Sequence, residues 1–325
     1  MTFKNITHAP ARLNRSELAV PGSVTKFFEK AAAGPTDMIF LDLEDAVAPS
    51  DKESARANVI EALNTIEWQG KTMSVRVNGL DTHWMYRDII DVVEGAGNNL
   101  DLMMIPKVGT PEDVYTIDVL LTQIEAAKGI KTPIGLELII ESALGMQNIG
   151  AIAAASPRIE SLHFGVADYS ASTGVKTTNI GGPNPYYVVL TDPDADGNRD
   201  THWADMWHYP IVQMVIAARA NGLRPIDGPF GNFKDEAGYR AQASRAAVLG
   251  CVGKWAIHPS QTALANEVFS PSDEEVAQAK RVLVAMEEAQ ARGEGAVALD
   301  GRLIDNASMK QAQVIVDTAA SLEDK

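Results

Sequence analysis

Eight short apolar runs recur along the chain, with amphipathic stretches between them. They fall near Ser16–Val20, Met38–Leu43, Met73–Val77, Leu102–Pro106, Ile134–Ile140, Ser161–Phe164, Leu223–Ile226 and Gly253–Ile257. The runs are continuous instead of alternating, as expected for strands buried on both faces of a parallel sheet. Strand and helix alternating eight times predicts an α/β chain folded as a (β/α)8 TIM barrel.

The helical stretches carry their own start and stop signals. Thr110-Pro111-Glu112-Asp113 supplies an N-cap, a first-turn proline and acids at the positive helix end. Val114, Ile117, Leu120, Leu121 and Ile124 follow at helical spacing. Ser272-Asp273-Glu274-Glu275 reads as a capping box, opening a helix expected to run to Gly293.

Two regions leave this rhythm, and they suggest a catalytic barrel over 1–270 followed by a helical extension over 271–325. The first is an insertion at about 176–209, rich in Gly, Pro, Asp and aromatics. Its Asp192-Pro193-Asp194-Ala195-Asp196-Gly197 tip lacks the downstream glutamate of a calcium loop and reads as a solvated turn. The second is the tail, where a Gly-rich hinge leads through Asp300-Gly301-Arg302-Leu303-Ile304-Asp305 to a last helix.

Composition narrows the field. With 28 Lys and Arg against 43 Asp and Glu, the net charge of −15 disfavours nucleic acid and anionic membranes as partners. The single cysteine, Cys251, allows no internal disulfide and suits a reducing compartment. No signal core or membrane-length apolar stretch is present, so a cytoplasmic location is expected.

A barrel of this kind works at the C-terminal ends of its strands. Those ends carry Glu44 and Asp45, Arg76, Lys107, Glu141, Asp168, Asp227 and His258. Glu141 and Asp168 end two buried strands and are the metal candidates, since crowded carboxylates need a neutralising charge. Structural salt bridges to Arg76 or Lys107 are the alternative. Glu44 and Asp45 are expected behind the ion, with helix capping a second role for Asp45. Arg76, in an otherwise apolar strand, needs acceptors, which a substrate oxyanion or Glu44 would supply. Pro21-Gly22-Ser23 offers a turn whose amides can take a phosphate.

Seven segments together resemble the citrate-lyase-β-like aldolase superfamily: AVPGS at 19–23, IFLDLEDAV at 39–47, SVRVNG at 74–79, MMIPKV at 103–108, GLELIIES at 135–142, GVADYSAS at 165–172 and GKWAIHPSQ at 253–261. Within it, the insertion, the segment 224–231 and the tail are similar to the malyl-CoA/β-methylmalyl-CoA lyases. The resemblance implies reversible cleavage of (S)-malyl-CoA to acetyl-CoA and glyoxylate, and of β-methylmalyl-CoA to propionyl-CoA and glyoxylate. It implies Mg²⁺ (or Mn²⁺) on Glu141 and Asp168 acting as a Lewis acid, with Arg76 stabilising negative charge. It implies that a base, Asp305, comes from a neighbouring subunit's tail closing as a lid, in a homo-oligomer that is a trimer or hexamer. For the coenzyme A thioester it points to Ala19, Val24, Lys26, Lys30, Arg76, Ala167, Ile257 and His258. Relatives commonly have arginine where this chain has Val24, and Lys26 is the nearest substitute charge.

Three other readings share these residues. One is a malyl-CoA thioesterase on the same barrel. Another is a citrate-lyase-type β subunit acting on an acyl carrier protein. The third, a Schiff-base barrel using Lys107 or Lys254, is disfavoured because neither position suggests a depressed pKa.

Overall fold

The computed structural model describes residues 6–177 and 179–323. Two compact units divide the chain, Met1–Asn266 and Glu267–Lys325. In the first, strands β1 (Ser16–Pro21), β2 (Met38–Asp42), β3 (Thr72–Arg76), β4 (Leu102–Ile105), β5 (Gly135–Ile140) and β6 (Ile159–Phe164) are joined by helices α1 (Phe28–Ala32), α2 (Lys52–Thr65), α3 (Met85–Ala96), α4 (Pro111–Lys128) and α5 (Ala143–Ala153). After β6 comes α6 (Val166–Thr173), then an insertion that contains the antiparallel pair β7 (Val188–Leu190) and β8 (Thr201–Trp203). Helix α7 (His208–Ala220), β9 (Arg224–Asp227), α8 (Glu236–Leu249), β10 (Gly253–Ala256) and α9 (Ser260–Val268) complete the rhythm.

Eight strands close into a parallel barrel in the order β1-β10-β9-β6-β5-β4-β3-β2. All eight expected strands are present, and the (β/α)8 reading stands. The runs are continuous because both faces are covered: every residue of β2, β4, β5 and β6 is buried. Phe40, Met104, Ile139, Ile226 and Trp255 pack together as one core cluster of the barrel. Gly22 is required where the first loop crosses β2, since a Cβ there would meet the Asp42 carbonyl at 2.9 Å.

The second unit holds α10 (Asp273–Ala291), the hairpin β11 (Ala296–Leu299) and β12 (Arg302–Asp305), and α11 (Asn306–Glu323). Ser272 and Glu275 cap α10 reciprocally, as the sequence predicts. The hairpin was not foreseen. Asp300 and Gly301 both take positive φ, 51° and 75°, which is the two-residue turn that Asp-Gly favours. In the insertion, Asp194 accepts the backbone N–H groups of Asp196 and Asn198, so its tip is a turn held by its own side chain. No helix among the described residues is long and apolar enough to cross a membrane.

Candidate active site

Strands β2 and β3 end on a buried ion pair. Asp42 and Arg76 are register partners, and Arg76 donates from Nε to Asp42 Oδ1 at 2.7 Å and from Nη2 to Oδ2 at 2.6 Å. The third guanidinium nitrogen, Nη1, lies 3.1 Å from Glu44 Oε2. The guanidinium carbon also sits 5.6 Å from the Phe40 ring and 5.7 Å from that of Trp255, a cation–π contact with two rings that pack on each other at 4.8 Å. Burial works against the Arg76 charge, but Asp42 and Glu44 outweigh it and hold the guanidinium protonated. Burial likewise opposes Asp42, and Arg76 pulls its pKa below the ordinary carboxylate value. The expected Glu44 pair is present, yet the stronger partner is Asp42, a residue the sequence reading passed over inside Phe40-Leu41-Asp42-Leu43.

Glu44 is a junction. Its Oε1 accepts from Lys107 Nζ at 2.6 Å, while Lys52 Nζ donates to the Leu43 and Glu44 carbonyls at 2.7 Å each. Burial raises the Glu44 pKa despite these cations. Asp45 is exposed and lies 3.8 Å from Lys107 Nζ, outside the buried set.

Glu141 follows β5 and is buried. Its Oε1 accepts the backbone N–H of Lys107 at 2.7 Å. Burial, Glu44 and Asp168 together push its carboxyl up to about 8, against the opposing pull of Arg76. Asp168 lies in the first turn of α6, half-buried. Gly165, just ahead of α6, is shaped to this neighbour: a Cβ there would fall on the Glu141 carboxylate. Carboxylates crowded to the point of holding a proton are a fitting donor set for a hard divalent cation.

A second cluster was not anticipated. Inside the barrel, Glu17, Glu137 and His163 are fully buried, with ligand atoms within 4.8 Å of one another. Trp255 Nε1–H donates to His163 Nδ1 at 2.8 Å, and Ser161 Oγ lies 2.8 Å from Nε2 and 3.1 Å from Glu137 Oε1. Both imidazole nitrogens are therefore engaged, and neither offers a metal an open lone pair. Burial and the adjacent Glu137 hold Glu17 well above the ordinary carboxylate pKa.

Among the expected coenzyme residues, Ala19 on β1 packs against the core cluster and is only partly exposed. Val24 is half-buried in the turn after β1, and Lys26 and Lys30 are exposed. Ile257 and His258 leave β10, the neighbour of β1, and His258 stacks on Phe233 at 4.7 Å between ring centroids. Ala167 is exposed on α6. The turn is a poorer phosphate cradle than its sequence suggests. Gly22 N already donates to the Asp42 carbonyl and Val24 N to that of Pro21, at 2.8 and 3.1 Å.

One further expectation changes. Lys254 is fully buried, its charge depressed by desolvation and partly restored by Asp227 Oδ2 at 2.5 Å. A depressed pKa is thus present where none was expected, though the Nζ is spent on Asp227 and the Gly228 carbonyl. Lys107 moves upward, as the acid-rich rim predicts, because Glu44 and Asp45 outweigh its burial. Asp305 belongs to the second unit, where it is exposed and caps α11 by accepting from the N–H groups of Ala307 and Ser308 at 2.9 and 3.1 Å. Those bonds hold its pKa below the usual carboxylate value.

The family model described as HpcH/HpaI aldolase/citrate lyase matches residues 15–259, the whole barrel. The chain belongs to this family. It is 54% identical over 319 residues to an L-malyl-CoA/β-methylmalyl-CoA lyase of Cereibacter sphaeroides, covering 98% of each chain. A (3S)-malyl-CoA thioesterase of the same organism is 34% identical over 308 residues, covering 95% of each. Among solved structures, the family fold is matched by CitE of Mycobacterium tuberculosis in complex with magnesium, acetoacetate and coenzyme A. The TM-score is 0.72 at 25% identity, over 95% of this chain and 98% of the other.

Proposed function

We propose that this family member is a divalent-metal-dependent carbon–carbon lyase acting on (S)-malyl-CoA and β-methylmalyl-CoA, with glyoxylate and acetyl-CoA or propionyl-CoA as products. The observation that carries this reading is the Glu141 carboxyl. It is buried near Glu44 and Asp168 and raised to about 8, a crowding of acids that a bound cation would relieve. Identity of 54% to a malyl-CoA lyase, against 34% to the thioesterase, favours carbon–carbon cleavage over hydrolysis.

Glu141 and Asp168 would hold the ion, Mg²⁺ by preference with Mn²⁺ as a substitute. When bound, it supplies Lewis acidity toward the oxygens of the glyoxylate half. The chain's own groups do the rest. Arg76, immobilised by Asp42, presents a fixed positive charge where negative charge develops on the reacting oxygens. In cleavage, the hydroxyl proton leaves, the bond between the carbinol carbon and the thioester α-carbon breaks, and the α-carbon takes up a proton. In condensation, the α-proton goes to a base.

Asp305 is the proposed base, donated by a neighbouring subunit of a trimer or hexamer. As an exposed helix cap it is a weak base; covering it from solvent would raise its pKa toward what proton abstraction needs. The Ala19–Lys30 segment and the Ile257–His258 turn, leaving adjacent strands, are the proposed coenzyme A contacts, with Lys26 standing in for the usual arginine. The cytoplasm suits a chain with one buried cysteine.

The test is incubation of purified protein with acetyl-CoA, glyoxylate and Mg²⁺, following thioester products and free thiol together. Malyl-CoA forming without thiol release supports the lyase. Thiol appearing in step with malate identifies a hydrolase, and absence of any product favours a subunit that needs an acyl carrier protein.

A further inference from the structure

Lys107 touches both Glu44 and Glu141, and it does so from a backbone conformation unusual for its type. Its φ is +56°, in the left-handed region that side chains with a Cβ rarely adopt. From there its N–H donates to Glu141 Oε1 at 2.7 Å. Its Nζ runs the other way to Glu44 Oε1 at 2.6 Å, and Glu44 in turn meets Arg76 Nη1 at 3.1 Å. Strained backbone at a functional site persists where the surroundings fix it, and here both ends of the residue are fixed by carboxylates.

We propose that Lys107 is a positioning residue with two separable arms: a main-chain arm that orients the metal-binding carboxylate Glu141, and an ammonium arm that sets Glu44 and, through it, Arg76. The proposal rests on the metal reading of Glu141 and Asp168. It follows from geometry that the two arms answer to different substitutions. Glycine keeps the N–H and is at ease at positive φ, while removing the ammonium. Valine removes the ammonium and also resists the left-handed conformation, which displaces the N–H. Methionine keeps the length without the charge, and arginine restores a charge.

The experiment uses full-length protein, with Mn²⁺ binding measured by calorimetry in the absence of substrate and turnover measured separately. Lys107→Gly and Lys107→Met are expected to bind Mn²⁺ as the parent does while losing about 10–100-fold in kcat, the range typical of partners behind metal ligands. Their KM for the CoA thioester should be unchanged, and Lys107→Arg should recover part of the kcat. Lys107→Val is expected to lose ten-fold or more in Mn²⁺ affinity relative to Lys107→Gly. Parental kcat in the Gly and Met variants overturns the ammonium arm. Equal Mn²⁺ affinity of folded Val and Gly variants overturns the main-chain arm. Glu141→Gln serves as the separate control: if it binds Mn²⁺ like the parent, the metal reading fails, whatever the Lys107 variants do.

Discussion

Arg76 and Asp42 end neighbouring strands in register and form a two-point ion pair in which both side chains are buried. The pair fixes the guanidinium plane before any substrate arrives, so that Arg76 acts as a preorganised charge instead of a mobile one. It also ties the β2–α2 loop to the barrel, because Asp42 accepts the N–H groups of Glu44 and Ala46.

Removing one partner of this pair strands the other. Arg76→Ala is expected to abolish turnover and to destabilise the fold by about 3–5 kcal/mol, the usual penalty for an uncompensated buried charge. Adding Asp42→Asn should restore part of the stability and none of the activity. Urea unfolding checks the first claim; an Arg76→Ala protein as stable as the parent would contradict the buried-pair account.

Glu141 gives a pH dependence with a definite sign. Its folded pKa of about 8 lies above the ordinary 4.5, so between those values the metal-free folded state holds a proton that the unfolded chain has released. This contribution is present in full below about pH 4.5 and is lost as pH rises through 8. A divalent cation displaces the proton and should restore the loss. Thermal melts with and without Mg²⁺ are expected to show stabilisation by the ion growing from pH 5.5 to 8.5. In Glu141→Gln that growth should vanish.

Gly165 tests the shape of the site without altering a charge. In Gly165→Ala the new methyl falls on the Glu141 carboxylate. Mn²⁺ affinity should drop ten-fold or more by calorimetry, with the circular dichroism spectrum retained.

The proposed sharing of an active site between subunits predicts complementation. Asp305→Ala and Arg76→Ala proteins, each inactive alone, should regain a fraction of parental activity when mixed and allowed to exchange subunits. A mixture as inactive as its components argues against a base supplied in trans.

The barrel was legible because strands covered on both faces must be continuously apolar, and the eight runs say so directly. The rim was legible for a related reason: a charge at the end of an apolar run, as at Arg76 and Glu141, has no structural excuse within the run. Asp42 was missed because it sits two residues before the charged pair Glu44-Asp45 that drew attention. Only the register that sets it beside Arg76 reveals its role. Glu17, Glu137 and His163 were missed because each lies on a different strand, and barrel closure alone brings them together. The Asp300-Gly301 turn was a readable hairpin signal, obscured by the short flanking strands.

The most direct measurement is anomalous diffraction from a crystal grown with Mn²⁺, which reports where the ion sits. One strong peak ligated by Glu141 and Asp168 at the barrel mouth is expected, lost in Glu141→Gln crystals. A peak at Glu17, Glu137 and His163 in the barrel interior, with none at the mouth, would contradict metal binding by Glu141 and Asp168.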